Sequence, residues 1–164
     1  LFQVNKCILI SGMSKFVQGH EYSLGWRQYV LEAMKRNIVV KPKETLQQFY
    51  TNLFSESEKA AGYQESFSNQ VMAYESPFSL EVGLDYLKEM DMRQKLVDVE
   101  CPVLLLHGEE DTVCTVQSSV YLQEQLKDTR LVRYKKLGHI PFYVEPNLCF
   151  QEIDSFLNEK VERT

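Results

Sequence analysis

Val103-Leu104-Leu105-Leu106 follows Cys101-Pro102 and stops at His107-Gly108. A run with no apolar–polar alternation is buried on both faces, and strands buried that way belong to parallel sheets covered by helices on either side. Parallel neighbours cannot be joined by a tight turn. They need a crossover, usually a helix, and the crossover is right-handed. The sequence supplies what such a strand requires: a helical stretch from about Val116 to Leu126, then a strand from Arg130 to Tyr134. A last helix begins near Glu145-Pro146 with proline at its first position, and its buried stripe is Leu148, Cys149, Ile153, Phe156 and Leu157. Far upstream, Lys6 to Ser11 (K-C-I-L-I-S) is a second continuous apolar run, closed by Ser-Gly.

Between these strands the character changes. From about Ser14 to Met92 the pattern is helical and aromatic, with no convincing strand. Trp26, Tyr29, Val30 and Ala33 fall at helical spacing. Pro42 sits where a second helix can start, and Leu46, Phe49, Tyr50 and Leu53 form its apolar stripe. Phe67, Val71 and Tyr74 suggest a third helix. Ser79 is a good N-cap for a fourth, with Glu81 in its first turn and Leu80, Leu84 and Leu87 on one face. The expected organisation is a core strand segment over residues 1–13, a helical insertion over 14–92, and the rest of an α/β core over 93–164. Two or three parallel strands expose unpaired backbone at the sheet edge, so the sheet is expected to continue into strands from elsewhere.

Composition narrows the function. The chain has 164 residues, 44% of them hydrophobic, enough for a real core. The net charge is -5, which argues against nucleic acid, because phosphate neutralisation needs clustered Lys and Arg. No apolar run approaches the ~20 residues of a membrane span. The start at Leu1 lacks a charged n-region and a cleavage site; it reads as the beginning of an internal fragment. Four scattered cysteines, Cys7, Cys101, Cys114 and Cys149, form no C-x-x-C pair and no zinc spacing. Free thiols in a reducing cytoplasm are expected, with no metal and no cofactor. Cys114 reads as a small residue at a turn or helix start.

Two short segments carry chemistry. Asp111 lies just past the buried strand, in Gly108-Glu109-Glu110-Asp111, at the carboxyl end where sites form in open α/β sheets. An Asp after a strand is also ordinary turn chemistry; the second segment gives it weight. That segment is Leu137-Gly138-His139-Ile140-Pro141-Phe142, where His139 follows the next strand. Histidine suits a general base because its pKa is ~6.5, and a carboxylate can orient it. The third member of such a constellation, a nucleophile on a sharp strand-to-helix turn, is missing. Ser14 follows a strand in Gly12-Met13-Ser14-Lys15-Phe16, but a nucleophile elbow is G-x-S-x-G and position 16 is Phe. His107 reads as a packed, satisfied histidine and His20 as a solvated one. The aromatic stripes can be plain core. A helical insertion above the strand ends is also a natural lid for an acyl pocket, with Phe49, Tyr50 and Leu53 as candidate lining.

These residues resemble the C-terminal half of an α/β-hydrolase over nearly the whole chain. The resemblance is strongest from Gly83-Leu84-Asp85-Tyr86-Leu87 through Asp91-Met92-Arg93-Gln94-Lys95-Leu96, the Cys101-Pro102 strand and Asp111, to Gly138-His139-Ile140-Pro141-Phe142. The Asp-x-Arg-x-x-Leu segment narrows it to small lidded esterases, and the pattern is similar to that of the pimeloyl-[acyl-carrier-protein] methyl ester carboxylesterases of biotin synthesis. The resemblance implies that Asp111 and His139 are the triad acid and base, that residues 14–92 are a four-helix lid, and that Phe49 to Leu53 meet the acyl chain. It also implies that the nucleophilic serine, its elbow and the oxyanion-hole loop lie before Leu1. One departure is visible. Two lid positions that are Arg in that family, where they grip the acidic acyl carrier, are Glu44 and Gln48 here, with Lys35, Arg36, Lys41 and Lys43 nearby.

The expected function is therefore that of a serine carboxylesterase acting on a small-molecule or acyl-carrier-bound ester, completed by an N-terminal half. Three alternatives stay open. One is another lidded hydrolase of the same fold: a thioesterase, dehalogenase or epoxide hydrolase. The second is a binding module that keeps the fold without the chemistry. The third is one piece of a split or nicked enzyme. The superfold hosts all of them.

Overall fold

A computed structural model describes residues 4–71 and 77–159, with only the backbone of 77–79. Three strands, β1 (Cys7–Ile10), β2 (Val103–Gly108) and β3 (Thr129–Tyr134), form one sheet in the order β1-β2-β3. Both pairings are parallel, with Cys7 opposite Val103 and Val103 opposite Thr129. The central strand is buried along its whole length, and Leu104, Leu105, Leu106 and His107 have 0% exposure. Its side chains alternate between two cores, as the pleat demands. Leu104 and Leu106 pack with Tyr134, Cys149 and Phe156, while Val103 and Leu105 pack with Leu96, Leu122 and Leu126. The first core lies under α8 (Pro146–Asn158), the second under α6 (Val116–Gln125) and a 3₁₀ turn at Arg93–Asp98. A sheet helix-covered on both faces is what the unbroken apolar run of β2 requires.

Among the described residues five helices, one more than the four expected, lie between β1 and β2: α1 (Gln28–Val40), α2 (Pro42–Asn52), α3 (Glu56–Ala60), α4 (Tyr63–Val71) and α5 (Pro77–Glu89). Pro42 ends α1 and opens α2, because it has no N–H to continue one helix and a pre-set φ for the first position of the next. The faces differ from the expected ones in places. The buried residues of α1 are Leu31 and Ile38, while Tyr29 is 62% exposed, because Trp26 precedes the helix and does not share its period. α5 begins at Pro77, so Ser79 lies inside it and is not its N-cap. On α8, Cys149 and Phe156 are buried but Leu148 and Leu157 face outward. Tyr74 falls outside the described residues. α3, only five residues long, has no periodicity to betray it; its signature is a capping box, Ser55 with Glu58. A last short helix, α7 (Pro141–Val144), precedes α8.

All four cysteines are free. No helix among the described residues is long and apolar enough to cross a membrane. β1 pairs with β2 alone among the described strands, so its other edge carries unpaired backbone groups.

Candidate active site

Asp111 is delivered by the turn that leaves β2. The turn is tight at its start, where Asp111 N–H donates to Gly108 O. It is also pinned to the neighbouring strand end, where Glu109 N–H donates to Tyr134 O and Glu110 N–H to Leu137 O. Gly108 has to be glycine, because a Cβ there would overlap the carbonyl oxygens of Gly138 and Leu137. That close approach of two backbones puts the Asp111 turn beside the His139 loop.

The Asp111 side chain is 0% exposed and its carboxylate is surrounded by donors. Oδ1 accepts the N–H groups of Val113 (2.8 Å) and Cys114 (2.9 Å), the first residues leading into α6. Oδ2 accepts Nδ1–H of His139 at 2.8 Å and lies 3.1 Å from Nε2 of His107. Burial pushes this carboxyl up, but the hydrogen bonds from His107 and His139, the charge of His139 and the Cys114 N–H outweigh it. The group is held below the ordinary carboxylate value. It is an ionised, fully engaged anion.

His139 takes its tautomer from this partner: an ionised carboxylate can only accept, so Nδ1 carries the proton and Nε2 presents its lone pair. No hydrogen bond reaches Nε2 among the described residues. The ring lines a cavity of about 620 Å³ with Met13, Phe16, Leu46, Phe49, Tyr50 and Cys114 among its neighbours. An imidazole fixed by a carboxylate, with a free Nε2 at an apolar cavity, can take a proton from a nucleophile and return it to a leaving group.

Of the residues singled out in the sequence, the fold brings Asp111, His139, Phe49 and Tyr50 together. Leu53 is placed differently. It is not among the residues lining that cavity; its side chain packs in a core with Phe54, Val113 and Ile140, and its carbonyl accepts the backbone N–H of His139 at 2.8 Å. Ser14 is buried and does not line the cavity either, and its carbonyl accepts from Met92 N–H. The His20 side chain is 93% exposed. His107 is packed, with Nδ1 2.6 Å from Ser119 Oγ and Nε2 2.6 Å from Cys114 O. Its contact with Asp111 has a sequence signal, i and i+4 across a strand end, that turn chemistry alone does not decode. The Cys114 thiol is pushed up to about 12 by burial and by the Asp111 charge, which removes it as a nucleophile. No three of the described His, Cys, Asp and Glu side chains group as metal ligands.

A sequence-family model described as "TAP-like protein" matches residues 84–162. The chain is 28% identical over 156 residues to a protein of Nitrosomonas europaea named pimeloyl-[acyl-carrier protein] methyl ester esterase, an alignment covering 92% of this chain and 62% of that protein. It superposes on an esterase of Exiguobacterium antarcticum with a TM-score of 0.85 at 22% identity, covering 94% of this chain and 57% of the other. The chain carries a C-terminal α/β-hydrolase region. A bromoperoxidase of Bacillus anthracis shares this fold equally well (TM-score 0.85, 17% identity, 94% and 58% coverage). The α/β-hydrolase region thus spans about three fifths of the length of the curated relatives it matches.

Proposed function

We propose that the protein is a serine carboxylesterase in which Asp111 and His139 are the acid and base of a catalytic triad and residues 14–92 are the lid. One observation carries the reading: the 2.8 Å hydrogen bond from His139 Nδ1 to a buried, multiply held Asp111 at the carboxyl ends of adjacent parallel strands. The nucleophile is a serine supplied by the part of the fold outside these 164 residues, the part that also pairs with the open edge of β1. That serine attacks the ester carbonyl as His139 Nε2 takes its proton. The imidazolium is stabilised by Asp111 and returns the proton to the leaving alkoxide, and water then repeats the cycle on the acyl-enzyme.

The apolar cavity beside His139 supports an aliphatic acyl group, with Phe49 and Tyr50 as its contacts. An acyl-carrier-bound ester is suggested by the name of the Nitrosomonas europaea relative. For that partner the cations available on the lid are Arg36, Lys41 and Lys43. Lys35 is occupied, its Nζ 2.7 Å from Asp85 and 3.6 Å from Glu81. The protein acts in the cytoplasm on this reading.

The test is hydrolysis of p-nitrophenyl butyrate by the whole protein and by His139→Ala. Triad members act as a unit, so turnover is expected to fall by ~10³-fold or more. Near-normal hydrolysis by the variant would overturn the assignment. Failure of the wild-type protein to take up a fluorophosphonate probe would favour a binding module over an enzyme.

A further inference from the structure

Among the described residues Glu58 is a buried carboxyl group that the mechanism does not use. Glu58, on α3 of the helical segment, is 4% exposed, and no ion pair reaches it among the described residues. An unpaired carboxylate is strongly disfavoured away from water unless N–H groups converge on it. Two do. Ser55 N–H donates to Oε2 at 2.6 Å, closing the capping box of α3. Gly138 N–H, from the loop that carries His139, donates to Oε1 and Oε2 at 3.2 and 3.1 Å. A capping box needs only the first of these bonds. The second ties the Glu58 carboxyl group to the residue immediately before His139.

We infer that Glu58 is a positioning residue for His139: through the Gly138 N–H it fixes the loop, and so the aim of the imidazole, from the lid side. The inference rests on the esterase reading for its kinetic consequence, but not for its geometry. Two further tethers surround it. Ser55 Oγ donates to Lys136 O at 2.7 Å, and His139 N–H donates to Leu53 O at 2.8 Å. The loop and the Leu53–Glu58 segment leave no space between them. A Cβ at Gly138 would lie 2.6 Å from Leu53 O, 2.9 Å from Glu58 Oε2 and 2.9 Å from Ser55 N. Asp111 controls the ring from its Nδ1 side; Glu58 controls the backbone from which the ring hangs. Catalysis is sensitive to that placement, since a misalignment of ~1 Å can cost ~10²-fold.

The experiment uses the whole protein with Glu58→Gln, which keeps the shape but leaves one oxygen to serve two donors, and with Gly138→Ala, which leaves the Glu58 side chain in place but pushes the loop off it and off the Leu53 and Ser55 backbone. Two readouts are taken: kcat and KM for p-nitrophenyl butyrate, and the downfield proton resonance of His139 Nδ1–H. In both variants kcat is expected to fall by ~10- to 100-fold with KM within about twofold, and the resonance to move upfield or broaden. A folded variant with wild-type kcat and an unchanged resonance overturns the inference, as does a raised KM with kcat intact. If Glu58→Gln does not fold, Glu58→Asp decides: its shorter side chain draws the carboxyl back from the Gly138 N–H, so the same fall in kcat and the same shift of the resonance are expected, and wild-type values of both overturn the inference. If the resonance responds in a protein that hydrolyses no ester, the esterase reading fails and the positioning role stands. If ester is hydrolysed and neither readout moves, the reverse holds.

Discussion

Two turns meet at this site, and they are held in place by different means. The Asp111 carboxylate takes most of its hydrogen bonds from its own segment, although the turn is also pinned to the end of β3. The carboxylate is gripped by N–H groups two and three residues ahead, and by His107 four residues behind. The His139 loop takes few from its own segment. Its backbone is held by Leu53, Ser55 and Glu58, some eighty residues earlier in the chain, and its ring by Asp111. The Asp111 carboxylate is thus held mainly by groups of its own segment, and the His139 loop mainly by groups far away in the sequence. The second arrangement depends more on changes elsewhere than the first.

The sharpest way to break the contrast is Asp111→Asn in the whole protein. The amide cannot hold the His139 tautomer as a carboxylate does, and turnover is expected to fall by ~10⁴-fold. The same variant tests the electrostatics. Because Asp111 is held below its ordinary value in the fold, it contributes stability above the unfolded value of ~4 and loses it as pH falls through the depressed one. The wild-type melting temperature should therefore drop below about pH 4 more steeply than that of the variant. Next in size is His107→Phe, which keeps a ring in a site with 0% exposure but orphans Ser119 Oγ and Cys114 O. A loss of ~1–3 kcal/mol is expected from urea denaturation. No loss would mean that the two turn N–H groups suffice for Asp111. The smallest effect is expected from Ser55→Ala, which removes the cap of α3 and the shorter of two hydroxyl tethers to Lys136 O, leaving that of Ser57 at 3.3 Å. It should cost ~1 kcal/mol in stability and speed hydrogen exchange at the His139 backbone N–H. Unchanged exchange would show that the loop stands without the helical segment.

The same contrast governs what could be read from the sequence. β2 was legible because a run of four apolar residues between Pro102 and Gly108 admits few other structures. The Asp111 turn was legible because Gly108 closes β2, and the His139 loop because Gly138 and Pro141 punctuate the chain after β3. α1 was found but its face was not, since Trp26, which donates from Nε1 to Val113 O at 2.7 Å, looks like the start of a stripe and is an anchor to another turn. α3 had only its Ser55–Glu58 capping box to mark it, and the role of Glu58 was not legible at all. A Glu three residues after a Ser reads as a solvated cap, and nothing in a linear pattern says that Gly138 will arrive to complete the contact. Leu53 was singled out for its side chain, yet the atom that touches the site is its carbonyl oxygen.

The tie between residues 53–58 and the loop at 136–139 also draws a line for anyone who would recombine such proteins. Swapping the helical segment for that of a cousin with a different appetite looks like a cut at the ends of β1 and β2. A chimaera cut that way would import foreign partners for the imidazole's backbone. The seam belongs on either side of Leu53–Glu58, so that this stretch travels with the sheet and not with the graft.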